Sequence, residues 1–348
     1  MARETLTNPR QDTANVLFEP MPEAGQEERE RLWQHAARSC ELPDPYCSEP
    51  DWVLSYHLTH GRQRPMLMLF EHGNAIVLAE ESMSNGQPVF VSPESSWLYD
   101  RPLLGADPIP LFFHAIDLIE KRFGQKKMPP IILGGIWPHQ PLSNELLLNL
   151  GHIFSFFLYT QGKQCAASLE GGVDGFLSRR SSNFRAKLKK AVHKAREAGV
   201  SYERVTPECE PMVRQTFDRM LKVEAQSWKG LEENGLLHPL AGNFYKELLR
   251  RQARHHAARV IFARHEEEDI GFIFGGVTGA IYRGQQFSYD QSWKSFSIGN
   301  TLQYEQITWL CEEGALRYDM GPISGPKMGY KAHWTELIFP LESWILRR

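Results

Sequence analysis

The order of apolar segments points to an α+β (mixed α/β) protein of two domains, each a mostly antiparallel twisted sheet flanked by helices. Three observations carry this expectation. The chain has 348 residues, too many for one ordinary core and enough for two. Three strand-like segments joined by tight turns, Arg259 to Arg264, Ile270 to Thr278 and Ala280 to Tyr289, read as an antiparallel meander. Segments with apolar residues at helical spacing lie on both sides of that meander. The expected division is a loose arm over residues 1–15, an N-terminal domain over 16–170 and a C-terminal domain over 171–348, with a joint at Gly171-Gly172 through Gly175.

In the N-terminal half, Val16 to Pro20 reads as a strand and Glu27 to Arg38 as a helix. Apolar runs around His72-Gly73-Asn74 read as a hairpin, because that turn tolerates positive φ. Pro110 to Phe123 places Leu111, Ala115, Leu118 and Ile119 on one helical face. Ile131 to Leu133 reads as a buried strand and Leu142 to Leu150 as a short helix. In the C-terminal half, Ser181 or Ser182 caps a helix that ends at Gly199, with Phe184, Leu188, Ala191, Val192 and Ala195 as its buried stripe. A strand at Val200 to Val205, helices from about Pro211 to Trp228 and Gly242 to His255, and then the meander follow. The chain closes with a loop, a helix from Ile298 to Gly314, a strand Leu316 to Met320 and a last strand Glu336 to Leu346.

Hydrophobic content of 42% and charged content of 23% fit a soluble globular chain, and a net charge of −3 argues against a generally basic nucleic-acid binder. Five scattered cysteines, an odd number without a CxxC pair, fit neither a disulfide framework nor a zinc site and read as reduced thiols of a cytoplasmic protein. His57 and His60 lie one helical turn apart but lack an acidic or cysteine partner at metal-ligand spacing, so no metal is expected. No apolar stretch is long enough to cross a bilayer.

The chemistry-bearing feature is a strand ending at Tyr289-Asp290 that feeds a helix beginning near Ser297-Ile298-Gly299-Asn300-Thr301. The first N–H groups of a helix lack internal partners, and the helix dipole adds positive charge there. Small residues let a phosphate approach the main chain, and Lys294 adds a cation nearby. Such a joint suits a pyrophosphate; equally, a strand, loop and helix by themselves need be no more than an N-capped helix.

From about Phe176 to Ile345 the chain resembles the GNAT superfamily of acyltransferases, in the tandem-GNAT group that includes CelD-like and FemAB-related proteins. The segments Ser182-Asn183-Phe184-Arg185-Ala186-Lys187-Leu188, Glu224-Ala225-Gln226-Ser227-Trp228-Lys229-Gly230 and Ser288-Tyr289-Asp290 with Ser297-x-Gly299 come in the family's order. So does Tyr318-Asp319-Met320-Gly321 with Tyr330-Lys331-x-x-Trp334. The family's pyrophosphate loop reads Gln/Arg-x-x-Gly-x-Gly/Ala; here Lys294 stands at its first position and Ser297 where its first glycine would be. The resemblance implies a degenerate first GNAT-like domain, a catalytic second one, acyl-CoA as co-substrate, and transfer of its acyl group to a small amine or amino-acid-like acceptor. Lys294, Ser297, Ile298, Gly299, Asn300 and Thr301 would then hold the cofactor.

An alkyl ammonium has a pKa near that of lysine, about 10.4, so only about one molecule in two thousand is neutral at pH 7. The site must help remove a proton and must hold the oxyanion formed on the thioester. The resemblance implies that strand amides near Phe287 to Tyr289 do the latter. Candidate bases are Glu224, Asp290 and Asp319, each of which is otherwise a cap or ion-pair residue. Tyr289 or Tyr330 is the candidate proton donor to the leaving thiolate. Trp228, Lys229, Lys331 and Trp334 are candidate substrate contacts; the tryptophans read equally as core or pocket wall, and Lys331 as a partner of Asp319.

Arg179 to Arg196 holds eight basic residues and no acid. This face is either simply solvated or meets an anion: the phosphates of CoA, a tRNA, or an acyl carrier protein. Fem-type aminoacyltransferases use aminoacyl-tRNA, which makes tRNA the rival donor; a GNAT fold used only for binding is the non-catalytic alternative.

Overall fold

The hairpin at His72-Gly73 forms because both residues take positive φ, 48° and 78°, as a two-residue turn between right-twisted strands requires. It joins β2 (Met66–Glu71) to β3 (Asn74–Ser82), with Glu71 opposite Asn74. The computed structural model describes residues 14–61, 64–232, 235–323 and 326–348, so nearly all of the expected N-terminal arm lies outside the described residues. The chain forms two compact units, Met1–Gly162 with Pro340–Arg348, and Lys163–Phe339.

In the first unit, β1 (Val16–Glu19), α1 (Gln26–Arg38) and α2 (Pro50–His60) precede the hairpin. Then come β4 (Pro88–Val91), β5 (Leu103–Leu104), α3 (Ile109–Phe123), β6 (Ile131–Ile136) and α4 (Pro141–Leu150). The sheet runs β1-β2-β3-β4-β6-β13, where β13 (Leu337–Arg347) contributes its C-terminal part. β4 and β6 are parallel and joined through α3; the other pairings along this order are antiparallel. Phe112, Ile116 and Ile119 of α3 pack against Leu67, Ile76 and Phe90 of the sheet. Helix α2 carries His57, which is buried; desolvation and nearby Arg64 push its imidazole down to about 4, so it is neutral.

The second unit begins within β7 (Ser155–Ser168), a strand without an alternating apolar signature because its N-terminal two thirds are exposed. The stretch expected to be a joint is α5 (Gly172–Ser178). Helix α6 (Ser182–Glu197) starts where Ser181 Oγ accepts from Phe184 N–H. β8 (Val200–Val205) follows. The next expected helix is interrupted: α7 (Glu210–Gln226) ends at Ser227, which caps the short α8 (Trp228–Leu231) by accepting from Gly230 N–H. After α9 (Pro239–Ala253) come β9 (Ala258–His265), β10 (Glu268–Thr278), β11 (Ile281–Tyr289), α10 (Ile298–Glu312) and β12 (Arg317–Pro322). The sheet runs β7-β12-β11-β10-β9-β8, antiparallel except for β11 with β12, which are parallel and joined through α10. Both units therefore share one plan, a mostly antiparallel sheet with one parallel pair bridged by a helix.

Trp334 belongs to the second core. It is 2% exposed, stacks on Phe176 with centroids 6.1 Å apart and meets Phe184 edge-on at 4.9 Å. Its expected role as a substrate contact gives way to a packing role that anchors α5 and α6. Trp334→Ala should lower unfolding free energy by about 3–5 kcal/mol, read from urea denaturation. A loss confined to substrate affinity, with stability intact, would contradict that role.

Candidate functional site

Strands β11 and β12 pair over three residues only, Ile281–Arg317, Tyr282–Tyr318 and Arg283–Asp319. Beyond Arg283 they separate. The pairing of β11 with β10 shifts register at this point, leaving Gln285 as a bulge. The Gln285 Nε2 is buried without an acceptor, an orphan donor where the strands part. Past the bulge, Asp290 N–H donates to Ile270 O at 2.9 Å. Backbone groups alternate along a strand, so Gln286, Ser288 and Asp290 face β10 while Phe287 and Tyr289 turn their N–H and C=O toward the split. The Phe287 carbonyl confirms this direction, accepting from Lys229 Nζ at 2.9 Å.

Helix α10 starts at the end of that strand. A short turn, Gln291–Phe296, is opened by Asp290, whose carboxylate accepts from Ser292 N–H at 2.7 Å. Ser297 then takes the left-handed conformation, φ 59° and ψ 37°, and makes no side-chain cap. Glycine adopts this geometry freely and serine at a modest cost. The Ser297 carbonyl accepts from Asn300 and Thr301 N–H, so it does not take the Ile298 and Gly299 N–H groups, and of these two residues Gly299 has accessible surface. Ile298 is fully buried. A Cβ on Gly299 would lie 3.1 Å from the Phe287 ring and 3.2 Å from the Tyr289 ring; glycine lets the helix end sit directly on β11.

The expected cofactor residues thus divide. Gly299 offers a main-chain donor, Ile298 is buried, and Lys294 and Asn300 are exposed beside them. Thr301 turns inward, 2% exposed, its hydroxyl donating to Ile298 O at 3.0 Å. A cation that the sequence did not assign to this loop joins it: Lys194 of α6 donates to Ser295 O at 2.7 Å and sits 4.6 Å from the Phe296 ring centroid. A diphosphate fits this donor set, which consists of the Gly299 amide, a dipole end and flanking lysines.

The Glu224-to-Gly230 segment is the turn between α7 and α8. Glu224 is fully buried; its Oε1 accepts from Leu236 N–H at 3.0 Å and its Oε2 receives Ser227 Oγ at 3.5 Å. This turn sets Trp228 half-buried at the start of α8 and aims Lys229 at β11, where Nζ also donates to Gln286 Oε1 at 3.0 Å. Desolvation pushes the Lys229 pKa down, partly offset by Glu224. On the opposite lip, Lys331 Nζ donates to Pro322 O of β12 at 2.8 Å. Burial, with nearby Arg283, pushes Lys331 down to about 8. Arg283 is 3% exposed, its guanidinium crossing over Gly321, which has φ 79°. Cys165 Sγ donates to Gly321 O at 3.3 Å, and burial raises its thiol pKa. The split therefore has a lysine on each lip.

The remaining candidates are dispersed. Asp319 is paired with Arg317 through two bonds of 2.7 and 2.8 Å. It stands opposite Arg283, seven residues from Asp290 along the strand direction, so these two candidate bases are about 23 Å apart in rise. Tyr289 packs its ring on Gly299. Tyr330 is 36% exposed and meets Phe287 edge-on at 5.9 Å; desolvation pushes its pKa up, so the phenol keeps its proton at neutral pH. In the first unit, the equivalent helix α3 begins with Pro108 as its cap and Pro110 in its first turn. Prolines lack N–H, so that helix start cannot reproduce the donor set of α10.

Residues 182–332 match the family model of the acetyltransferase (GNAT) domain. FemX has a similar structure, with TM-score 0.64 at 11% identity over 92% of this chain and 96% of that one. A conserved protein of unknown function from Bacteroides thetaiotaomicron VPI-5482 gives 0.63 at 10% identity, over 95% and 100%. The C-terminal domain of a putative lysylphosphatidylglycerol synthetase from Agrobacterium fabrum gives 0.57 at 12%, over 93% and 93%. No curated protein matches the sequence. At these identities the structural likenesses establish the fold. In sequence, the segment 182–332 is similar to a GNAT acetyltransferase domain. Among the described residues, no helix is long and apolar enough to cross a membrane.

The depressed pKa of Lys331 makes a testable statement about stability. Its ordinary pKa is 10.5 and its folded value about 8, so between these values the unfolded chain binds more protons. Stability from this group is fully present above 10.5 and is lost as pH falls through 8. Lys331→Met should remove that part of the pH dependence of Tm between pH 8 and 10; an unchanged slope would refute the assignment.

Proposed function

We propose that the protein is an acyl-CoA-dependent N-acyltransferase whose second unit binds donor and acceptor together. The observation that carries this reading is the parting of β11 and β12 directly beside an α10 start whose Gly299 amide is not taken by Ser297. In this reading the CoA diphosphate sits on the Gly299 N–H group at the α10 start, with Lys294 and Lys194 beside it. The thioester carbonyl enters the split, where the Phe287 and Tyr289 N–H groups point at the oxygen that becomes negative. The acceptor nitrogen attacks the carbonyl carbon, a C–N bond forms and the C–S bond breaks. The amine's proton goes to a base, and the thiolate takes one from Tyr330. Glu224 has both oxygens bonded and is fully buried, and Asp319 has both on Arg317; Asp290, half-buried at the loop, gives one oxygen to Ser292 N–H and keeps the other, so it is the carboxylate assigned as base. Lys229 and Lys331 add positive charge along the split and suit an acceptor that carries its own carboxylate.

A calorimetric titration with acetyl-CoA tests the donor site. Ser297→Gly should bind as the unaltered protein does, because glycine accepts φ 59°. Ser297→Val, a β-branched residue poorly suited to that region, should lose binding about tenfold or more, a loss of about 1.4 kcal/mol. Equal binding by both variants would remove the loop from the reading. In an acyl-transfer assay with free-thiol detection, Asp290→Asn should lower kcat/KM about 100-fold, as loss of a general base does, with donor affinity unchanged. Unaltered turnover would pass the proton to substrate or solvent.

One observation favours aminoacyl-tRNA as a second donor reading. Of the eight basic residues around α6, Arg179 and Arg180 pair with Glu336, Arg185 bonds the Leu177 and Arg180 carbonyls, and Lys194 bonds Ser295. Lys187, Lys189, Lys190 and Arg196 remain exposed as a basic face beside the loop. Binding of tRNA there should weaken linearly in log affinity against log salt, whereas CoA binding should respond far less.

A further inference from the structure

The first unit contains a cavity of about 330 Å³, in the size range of small-molecule sites. Its walls come from the end of β6 and the segment after it, the residues just before α3, and the chain after α1. It therefore lies at the C-terminal end of the unit's parallel strand pair, where open sheets collect ligands, but beside the α3 start that Pro108 and Pro110 make unsuited to a diphosphate.

Arg101 lines this cavity and is 6% exposed. Its Nε donates to Leu103 O at 2.9 Å and its Nη1 to Glu41 O at 3.2 Å. The Cys40 thiol on the cavity wall is turned to the Ala36 and Ala37 carbonyls. The carbonyl partners of Arg101 are uncharged, and no ion pair among the described residues includes Arg101. Its chain neighbour Asp100 is directed at Ser92 and Glu94 instead. A guanidinium has five N–H donors, and a buried one without a carboxylate is unfavourable unless something supplies the charge. Beyond Arg101 the wall is apolar at Ile136, Trp137 and Leu142, while the acids that line the cavity, Glu41 and Glu145, are exposed.

We propose that this cavity binds a small organic monocarboxylate, with its carboxylate on Arg101 and its apolar body against Trp137 and Leu142. The exposed acids at the cavity disfavour dianions such as inorganic phosphate. The site is independent of the acyl-transfer reading, since all of its residues belong to the first unit.

Calorimetric titration of the full-length protein with 3-phenylpropionate, and with the uncharged 3-phenylpropionamide of the same shape, tests the proposal. The acid should bind with one equivalent, and the amide at least about tenfold more weakly, the effect of losing a charge-assisted hydrogen bond. Saturating CoA should leave this binding unchanged, so failure here and failure of the donor site are read separately. Ala106→Phe, at an exposed position on the cavity lining, should abolish binding while the thermal melt is preserved. No binding of the acid at millimolar concentration, equal affinity for acid and amide, tighter binding of inorganic phosphate, or retained binding in a folded Ala106→Phe protein would each overturn the proposal.

Discussion

The separation of β11 from β12 after three residue pairs is the constraint on which the functional surface depends. Two parallel strands that stayed paired would consume the Phe287 and Tyr289 amides in ladder hydrogen bonds and leave no room for a ligand. The bulge at Gln285 breaks the register at the point of separation. The lips are then held without closing: Lys229 takes the Phe287 carbonyl on one side and Lys331 the Pro322 carbonyl on the other. Buried polar main chain is tolerable only when it is satisfied, and two lysines from distant segments of the sequence satisfy it here.

The Glu224-to-Gly230 and Tyr330-to-Trp334 segments gain a shared explanation from this geometry. In each, most residues build a support and one lysine does the reaching. Glu224 and Ser227 fold the turn that carries Lys229. Trp334 sinks into the core and fixes the short helical turn that carries Lys331, whose carbonyl accepts from the Thr335 hydroxyl. Residue types that look catalytic in a linear motif can therefore be the scaffolding of a single side chain.

The second unit was legible in the sequence because its elements obey local rules. The Ser181 cap, the helix stripe ending before Gly199, the tight turns of the meander and the strand at Val200–Val205 all appear where periodicity puts them. The first unit was less legible. Helix α2 is buried on nearly every side and so shows no amphipathic stripe, and β7 is exposed along most of its length. At the site, the helix start was readable from its small residues. Its dependence on the left-handed Ser297 was not, because backbone conformation at one serine leaves no sequence pattern. Nor could spacing reveal that Asp319 is held by Arg317 two residues away, or that Lys194 belongs to the loop at Ser295, a contact spanning about a hundred positions.

The central claim is that the Phe287, Tyr289 and Gly299 amides face one ligand. Hydrogen–deuterium exchange of the intact protein, with and without acetyl-CoA, reads those amides directly. Slowed exchange in peptides covering Phe287 to Thr301 is the result the proposed donor site predicts. Unchanged exchange there under saturating acetyl-CoA, or protection only in other segments, would contradict it.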